Sequence, residues 1–182
     1  MKDRNLAFID LETTGFFPSR HEIVQIGCLV ARQVENSSGP KLEIVEEFEH
    51  KVKPTNIKDA DPEALRINGY NEADWVFALD LKSALEDLSS KAKDAVMVSH
   101  NVAFDYGFLQ KAFEVTGVPN LLHYHKLDTI SIAYAKLYAN PDVKRFSLQA
   151  LCEYFQIENK RAHTALSDVR AMYELYKKLL GA

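Results

Sequence analysis

The chain has 182 residues, 47% hydrophobic and 26% charged, with seven Gly and six Pro, the profile of one compact domain over residues 1–182 with a sizeable core. A net charge of -4 and a pI near 5.9 argue against holding nucleic acid through a broad basic surface, but not against a nucleic-acid enzyme. No apolar run approaches the length of a bilayer span, so no membrane is expected and the chain reads as soluble and cytoplasmic.

Residues 5–12, 22–35 and 41–53 read as β-strands, the first two joined by Thr-Gly and Pro-Ser turn signals. The Asn-Ser-Ser-Gly-Pro loop at 36–40 suggests a hairpin between the second and third. Helical character follows at 61–67 and 78–91, then a short β-branched and apolar strand at 95–99 and a helix at 102–116. A fifth strand ends at 126–128, and helices follow at 129–138, 147–155 and 164–180, with Ser147 as an N-cap. Three strands first and strand-helix units later predict an α/β domain with a mixed sheet covered by helices. Cys28 in a strand and Cys152 in a helix, without metal-ligand spacing, read as buried free thiols.

Four acids stand out against this pattern. Asp10 and Glu12, two apart on a strand, face the same way at roughly 6–7 Å and continue the side of Leu6 and Phe8. Asp105 shares a helical stripe with Phe108, Leu109 and Ala112, and Asp168 lies between Ala165 and Met172 with Leu175 and Leu179 beyond. A carboxylate buried there needs a cation, strong donors or a proton. Each also has a plain alternative: a strand end emerging into solvent for the pair, free helix N-H groups for Asp105 and Asp168. Together, four acids without paired Cys or His ligands suit a hard divalent ion such as Mg²⁺ or Mn²⁺ rather than structural zinc. Four such acids carry -4 and two divalent ions return +4. His163, five residues before Asp168, reaches the pocket from its rim, where a neutral imidazole deprotonates water; the plain alternative is a surface or satisfied loop His.

The segments Phe8-Ile9-Asp10-Leu11-Glu12-Thr13-Thr14-Gly15, His100-Asn101-Val102-Ala103-Phe104-Asp105 and His163-Thr164-Ala165-Leu166-Ser167-Asp168 resemble, in order, the three motifs of the DEDDh 3′-to-5′ exonucleases. The resemblance runs from residue 8 to 168, and a His rather than a Tyr at 163 points to the DEDDh branch. It implies an RNase H-like exonuclease fold with a mixed five-stranded sheet, and two-metal hydrolysis of a 3′-terminal phosphodiester into nucleoside 5′-monophosphates. By motif, Asp10 bridges both ions, Glu12 and Asp168 complete one metal site, Asp105 holds the second ion through water, and His163 is the general base. The resemblance further implies that backbone amides around Glu12 and Thr13 anchor the 3′ hydroxyl, that Phe16 stacks on a terminal base, the plain alternative being packing of a loop Phe, and that His100 closes the strand end and orients the loop before Asp105 beside the substrate. Asn68, Gly69 and Tyr70 lie towards the rim, with Tyr70 read as structural. Lys144-Arg145 and Lys160-Arg161 flank the last motif and suit backbone phosphates or plain solvation. His123 and His125 receive no role. The expected partner is a single-stranded DNA or RNA 3′ end; homodimerisation and association with a polymerase stay open, as does the choice between DNA and RNA.

Overall fold

The computed structural model describes residues 2–36, 39–159 and 164–181. Five strands, β1 (Leu6–Thr13), β2 (Ile23–Asn36), β3 (Gly39–Lys51), β4 (Val96–Ser99) and β5 (Lys126–Asp128), form one mixed sheet in the order β3-β2-β1-β4-β5. β1, β2 and β3 are antiparallel neighbours, whereas β4 is parallel to both β1 and β5. The α-helices are α1 (Pro62–Asn68), α2 (Leu81–Lys91), α3 (Val102–Thr116), α4 (Thr129–Leu137), α5 (Leu148–Phe155) and α6 (Ala165–Leu180). All five expected strands and all six expected helices are present. Serines 37 and 38 of the expected hairpin loop lie outside the described residues.

Alternation along β1 builds two cores. Ala7, Ile9 and Leu11 face α2 and α3, where Leu85, Leu88, Phe108 and Leu109 cover them. Leu6 and Phe8 face α6, meeting Val169, Met172, Tyr173 and Tyr176, and the Phe8 ring sits edge-on to both tyrosines at 5.4 Å. β1 is therefore covered on both faces, and anything that replaces an apolar residue near its end is enclosed between layers.

Helix starts follow their caps. Asp61, Asp80, Asp128 and Ser147 each accept a backbone N-H of the first turn, and Pro62 opens α1. α2 begins three residues later than the sequence suggests, because Leu79 pairs with the chain beyond β3, donating to Lys51 and accepting from Lys53, before Asp80 caps the helix. Two short 3₁₀ turns, Ile57–Asp59 and Ala73–Trp75, were not read from sequence; their three residues are too few to carry a periodic signal. Cys28 and Cys152 are buried and unbridged. Among the described residues no helix is long and apolar enough to cross a membrane.

Candidate active site

The end of β1 carries Asp10 and Glu12 on the face that Leu6 and Phe8 use against α6. Along β2, Asp10 is paired with Gly27 and Glu12 with Gln25. The start of α6 crosses the sheet at this point. A Cβ on Gly27 would lie 2.4 Å from the backbone carbon of Ala165, so only glycine admits the helix so close to the strand. Neighbouring strands also cap the helix: Gln25 Oε1 accepts from Ala165 N at 3.3 Å, and Glu49 Oε1 from Leu166 N at 3.0 Å. Seated in this way, α6 delivers Asp168 to β1. One carboxylate oxygen from each of Asp10, Glu12 and Asp168 lies within 4.8 Å of the others.

Asp105 reaches the same end of β1 from the opposite layer and is itself buried. Its Oδ1 accepts from Leu11 N at 3.1 Å, and its Oδ2 from the Ser99 hydroxyl. The donors come from β1 and β4, outside its own helix. The turn into α3 depends on Asn101, which takes a left-handed conformation (φ 72°) that asparagine tolerates better than most residues, with its N-H held by Asp128 Oδ1 at 3.2 Å. Asp168, half-buried, accepts from Asn159 Nδ2 at 2.6 Å, and Asn159 Oδ1 accepts from the Ser167 hydroxyl at 2.8 Å. Nothing in the spacing marks Ser99, Asn159, Gln25 or Gly27, because each acts on a residue remote in sequence or on backbone.

Gathering acids this closely resists their ionisation. Asp10 keeps some surface open, yet its carboxyl is enclosed enough that burial, then the charges of Asp105, Asp168 and Glu12, push it well above the usual range. Burial, followed by Asp168, Asp105 and Glu49, pushes Glu12 up to about 8. Asp105 rises to about 7, since burial outweighs the Ser99 and Leu11 hydrogen bonds. An all-oxygen set of mutually repelling carboxylates is relieved by a hard divalent cation, so the residues fit the metal expected.

The other expected residues fall around this cluster. Thr13 is buried, donates its hydroxyl to Gly15 O at 2.7 Å and accepts from Asn68 Nδ2 at 3.0 Å through its carbonyl. Phe16 is 68% exposed and lies edge-on to Phe104, the residue before Asp105, with centroids 6.4 Å apart; Phe104 was not singled out from sequence. Tyr70 packs on Trp75 at 4.9 Å, the structural place expected of it. In His100, Nδ1 meets the Thr129 hydroxyl and Nε2 the Phe146 carbonyl, both at 2.9 Å. Burial lowers the His100 pKa, and because the Phe146 carbonyl can only accept, Nε2-H donates to it. It braces the strand end to the loop before α5. His163, Lys160 and Arg161 lie outside the described residues.

Residues 7–176 match the exonuclease family of RNase T. The chain belongs to that family. A PolC-type DNA polymerase III of Caldanaerobacter subterraneus subsp. tengcongensis is 30% identical over 94% of this chain and 11% of the polymerase. The 3′-5′ exonuclease DinG of Staphylococcus epidermidis is 29% identical over 94% of this chain and 18% of its own length. The exonuclease chain thus spans under a fifth of these relatives. Among solved structures, an exonuclease I superposes with a TM-score of 0.79 at 19% identity, covering 96% of this chain and 41% of that one. E. coli exonuclease I in complex with a dT13 oligonucleotide gives 0.75 at 18% identity, covering 97% and 40%. The likeness establishes the RNase H-like exonuclease fold, and the acidic cluster of this family member sits at the end of its central strand.

Proposed function

We propose that the chain is one metal-dependent 3′-to-5′ exonuclease domain that hydrolyses single-stranded or frayed 3′ ends of DNA or RNA to nucleoside 5′-monophosphates. The observation that carries this reading is the meeting of Asp10, Glu12 and Asp168 oxygens within 4.8 Å at the end of β1. Family membership and the 3′-5′ exonuclease among its relatives support it.

Asp10, Glu12 and Asp168 would hold one divalent ion, and Asp10 with Asp105 a second, Mg²⁺ or Mn²⁺ in each case. Such ions supply positive charge to the attacking and leaving oxygens of an in-line displacement. As the family motif implies, Asp105 would hold its ion through intervening water, while its oxygens also accept from Leu11 N and the Ser99 hydroxyl. His163 takes the proton of the attacking water, and Asn159 holds the orientation of Asp168. Phe16 and Phe104 offer ring faces and edges to the terminal base, and Thr13 fixes the backbone where the 3′ hydroxyl is held. His100, with both ring nitrogens engaged, contributes by keeping the substrate rim in place.

The test is a 5′-labelled single strand incubated with Mg²⁺. A ladder shortening from the 3′ end is expected, and internal fragments would overturn the proposal. Asp10→Ala and Asp168→Ala should abolish cleavage while the far-UV spectrum persists; His163→Ala should leave weak activity that rises with pH. Similarity to the PolC-type polymerase favours a second reading, a proofreading or nucleic-acid-binding module that works beside a polymerase. Co-purification with a polymerase would support that reading.

A further inference from the structure

The loop between α4 and α5 is fixed at both ends of its basic pair. Val143 and Phe146 pack against the cluster of Ala133, Leu151, Leu175 and Leu179, so Lys144 and Arg145, between these two anchors, stand exposed. Neither forms an ion pair among the described residues, and Asp142 is the single acid of the loop. The chain as a whole is acidic, which makes an exposed cationic pair without an acidic partner among the described residues conspicuous. The Phe146 carbonyl accepts from His100, the residue after Ser99, whose hydroxyl holds Asp105. Two hydrogen bonds therefore connect this loop to the acids.

From Phe146 a line of rings leads away along α4. The Tyr134 ring lies 5.3 Å from Phe146, and Tyr138 lies 5.5 Å from Tyr134. Tyr134 is 52% exposed and Tyr138 73%. Large aromatic surface left in water beside exposed cations is the composition that binds single strands, in which rings stack on bases and cations meet phosphates. Rigid rings do this at low entropic cost.

Resting on the exonuclease reading of the site, we infer that Tyr134, Tyr138, Lys144 and Arg145 form a platform for the single-stranded polynucleotide upstream of the bond being cut. Nucleotides still joined to the terminal one lie across it. Stacking and phosphate contact are indifferent to base identity, so the platform serves length rather than sequence.

Two measurements test this. Binding of a fluorescein-labelled twenty-nucleotide strand, DNA and RNA in parallel, is followed by anisotropy in EDTA over a range of salt. Hydrolysis of that strand with Mg²⁺ is compared with hydrolysis of the p-nitrophenyl ester of thymidine 5′-monophosphate, which is too short to reach the loop. Tyr134→Ala/Tyr138→Ala should weaken strand binding at least about tenfold, whereas Tyr134→Phe/Tyr138→Phe should restore it. Lys144→Ala/Arg145→Ala should flatten the slope of log affinity against log salt by about 1.4, about 0.7 for each phosphate no longer neutralised. In both alanine pairs the ratio of kcat/KM on the strand to that on the ester should fall by a similar factor. Strand affinity and salt slope equal to wild type would overturn the platform, and so would losses on strand and ester in equal proportion. A wild-type protein that fails on the ester and on every strand would instead overturn the exonuclease reading, whatever the binding data show.

Discussion

Asp105 carries two duties, one structural and one electrostatic. Its oxygens accept from Leu11 N-H and the Ser99 hydroxyl, so the side chain joins α3 to β1 and β4 as well as adding charge to the site. Asp105→Asn keeps one accepting oxygen for Leu11 and offers an N-H to Ser99, preserving shape while removing charge. Asp105→Ala leaves both donors without partners, at about 1–3 kcal/mol for each buried group. We expect both variants to lose most nuclease activity but to unfold differently, with alanine melting several degrees below asparagine in thermal denaturation. Equal melting temperatures would mean that the two hydrogen bonds do not hold the layers together. In sequence the acid was visible as a charge in an apolar stripe, and free helix N-H groups were its plain explanation. The partners lie on other elements, six and 94 residues away, and no local pattern announces them.

At the scale of the element, the placement of α6 over Gly27 governs whether Asp168 arrives. Gly27→Ala forces a methyl group into the backbone of Ala165, where nothing flexible can give way. Overpacking of this kind costs about 1–3 kcal/mol, and it acts by lifting the helix that carries Asp168. Gly107→Ala in α3 is the control: its Cβ would meet only Pro18 Cγ at 3.6 Å, an ordinary contact, and alanine favours the helix. Gly27→Ala should lower both Tm and activity, and Gly107→Ala neither. Equal behaviour of the two would remove the special role of Gly27. Elements with long periodic patterns, such as α3 and α6, were legible almost to their ends, because amphipathic spacing and caps are local. The late start of α2 was not, since Leu79 is drawn into pairing with the chain after β3, a contact decided by tertiary position.

Across the whole molecule, the order of strands and helices suggested an α/β domain with a mixed sheet, and motif order suggested the exonuclease family; the sheet and the family membership both hold. What the sequence withheld is the arrangement of layers around β1, which decides the cost of charging the site. Raised folded-state pKa values carry a definite sign: stability is complete below the unfolded values and is lost as pH climbs through the folded ones. For Asp105 and Glu12 that window runs from the ordinary values of 3.8 and 4.5 up to about 7 and about 8. The metal-free protein should therefore lose thermal stability from this cluster between pH 4 and 8, and added Mg²⁺ should raise Tm more at pH 8 than at pH 6. Melting curves in EDTA and in Mg²⁺ at the two values decide it; an identical Mg²⁺ shift at both would refute the electrostatic account. Asp105 and Asp168 approach β1 from opposite faces, α3 on one side and α6 on the other. Their relative placement is thus set by two helices packed on opposite faces of one sheet, an arrangement that rearranging a loop does not alter. Adaptation to a longer, shorter or chemically different strand must then be worked out in the loops that surround the acids, with the gauge between them left untouched.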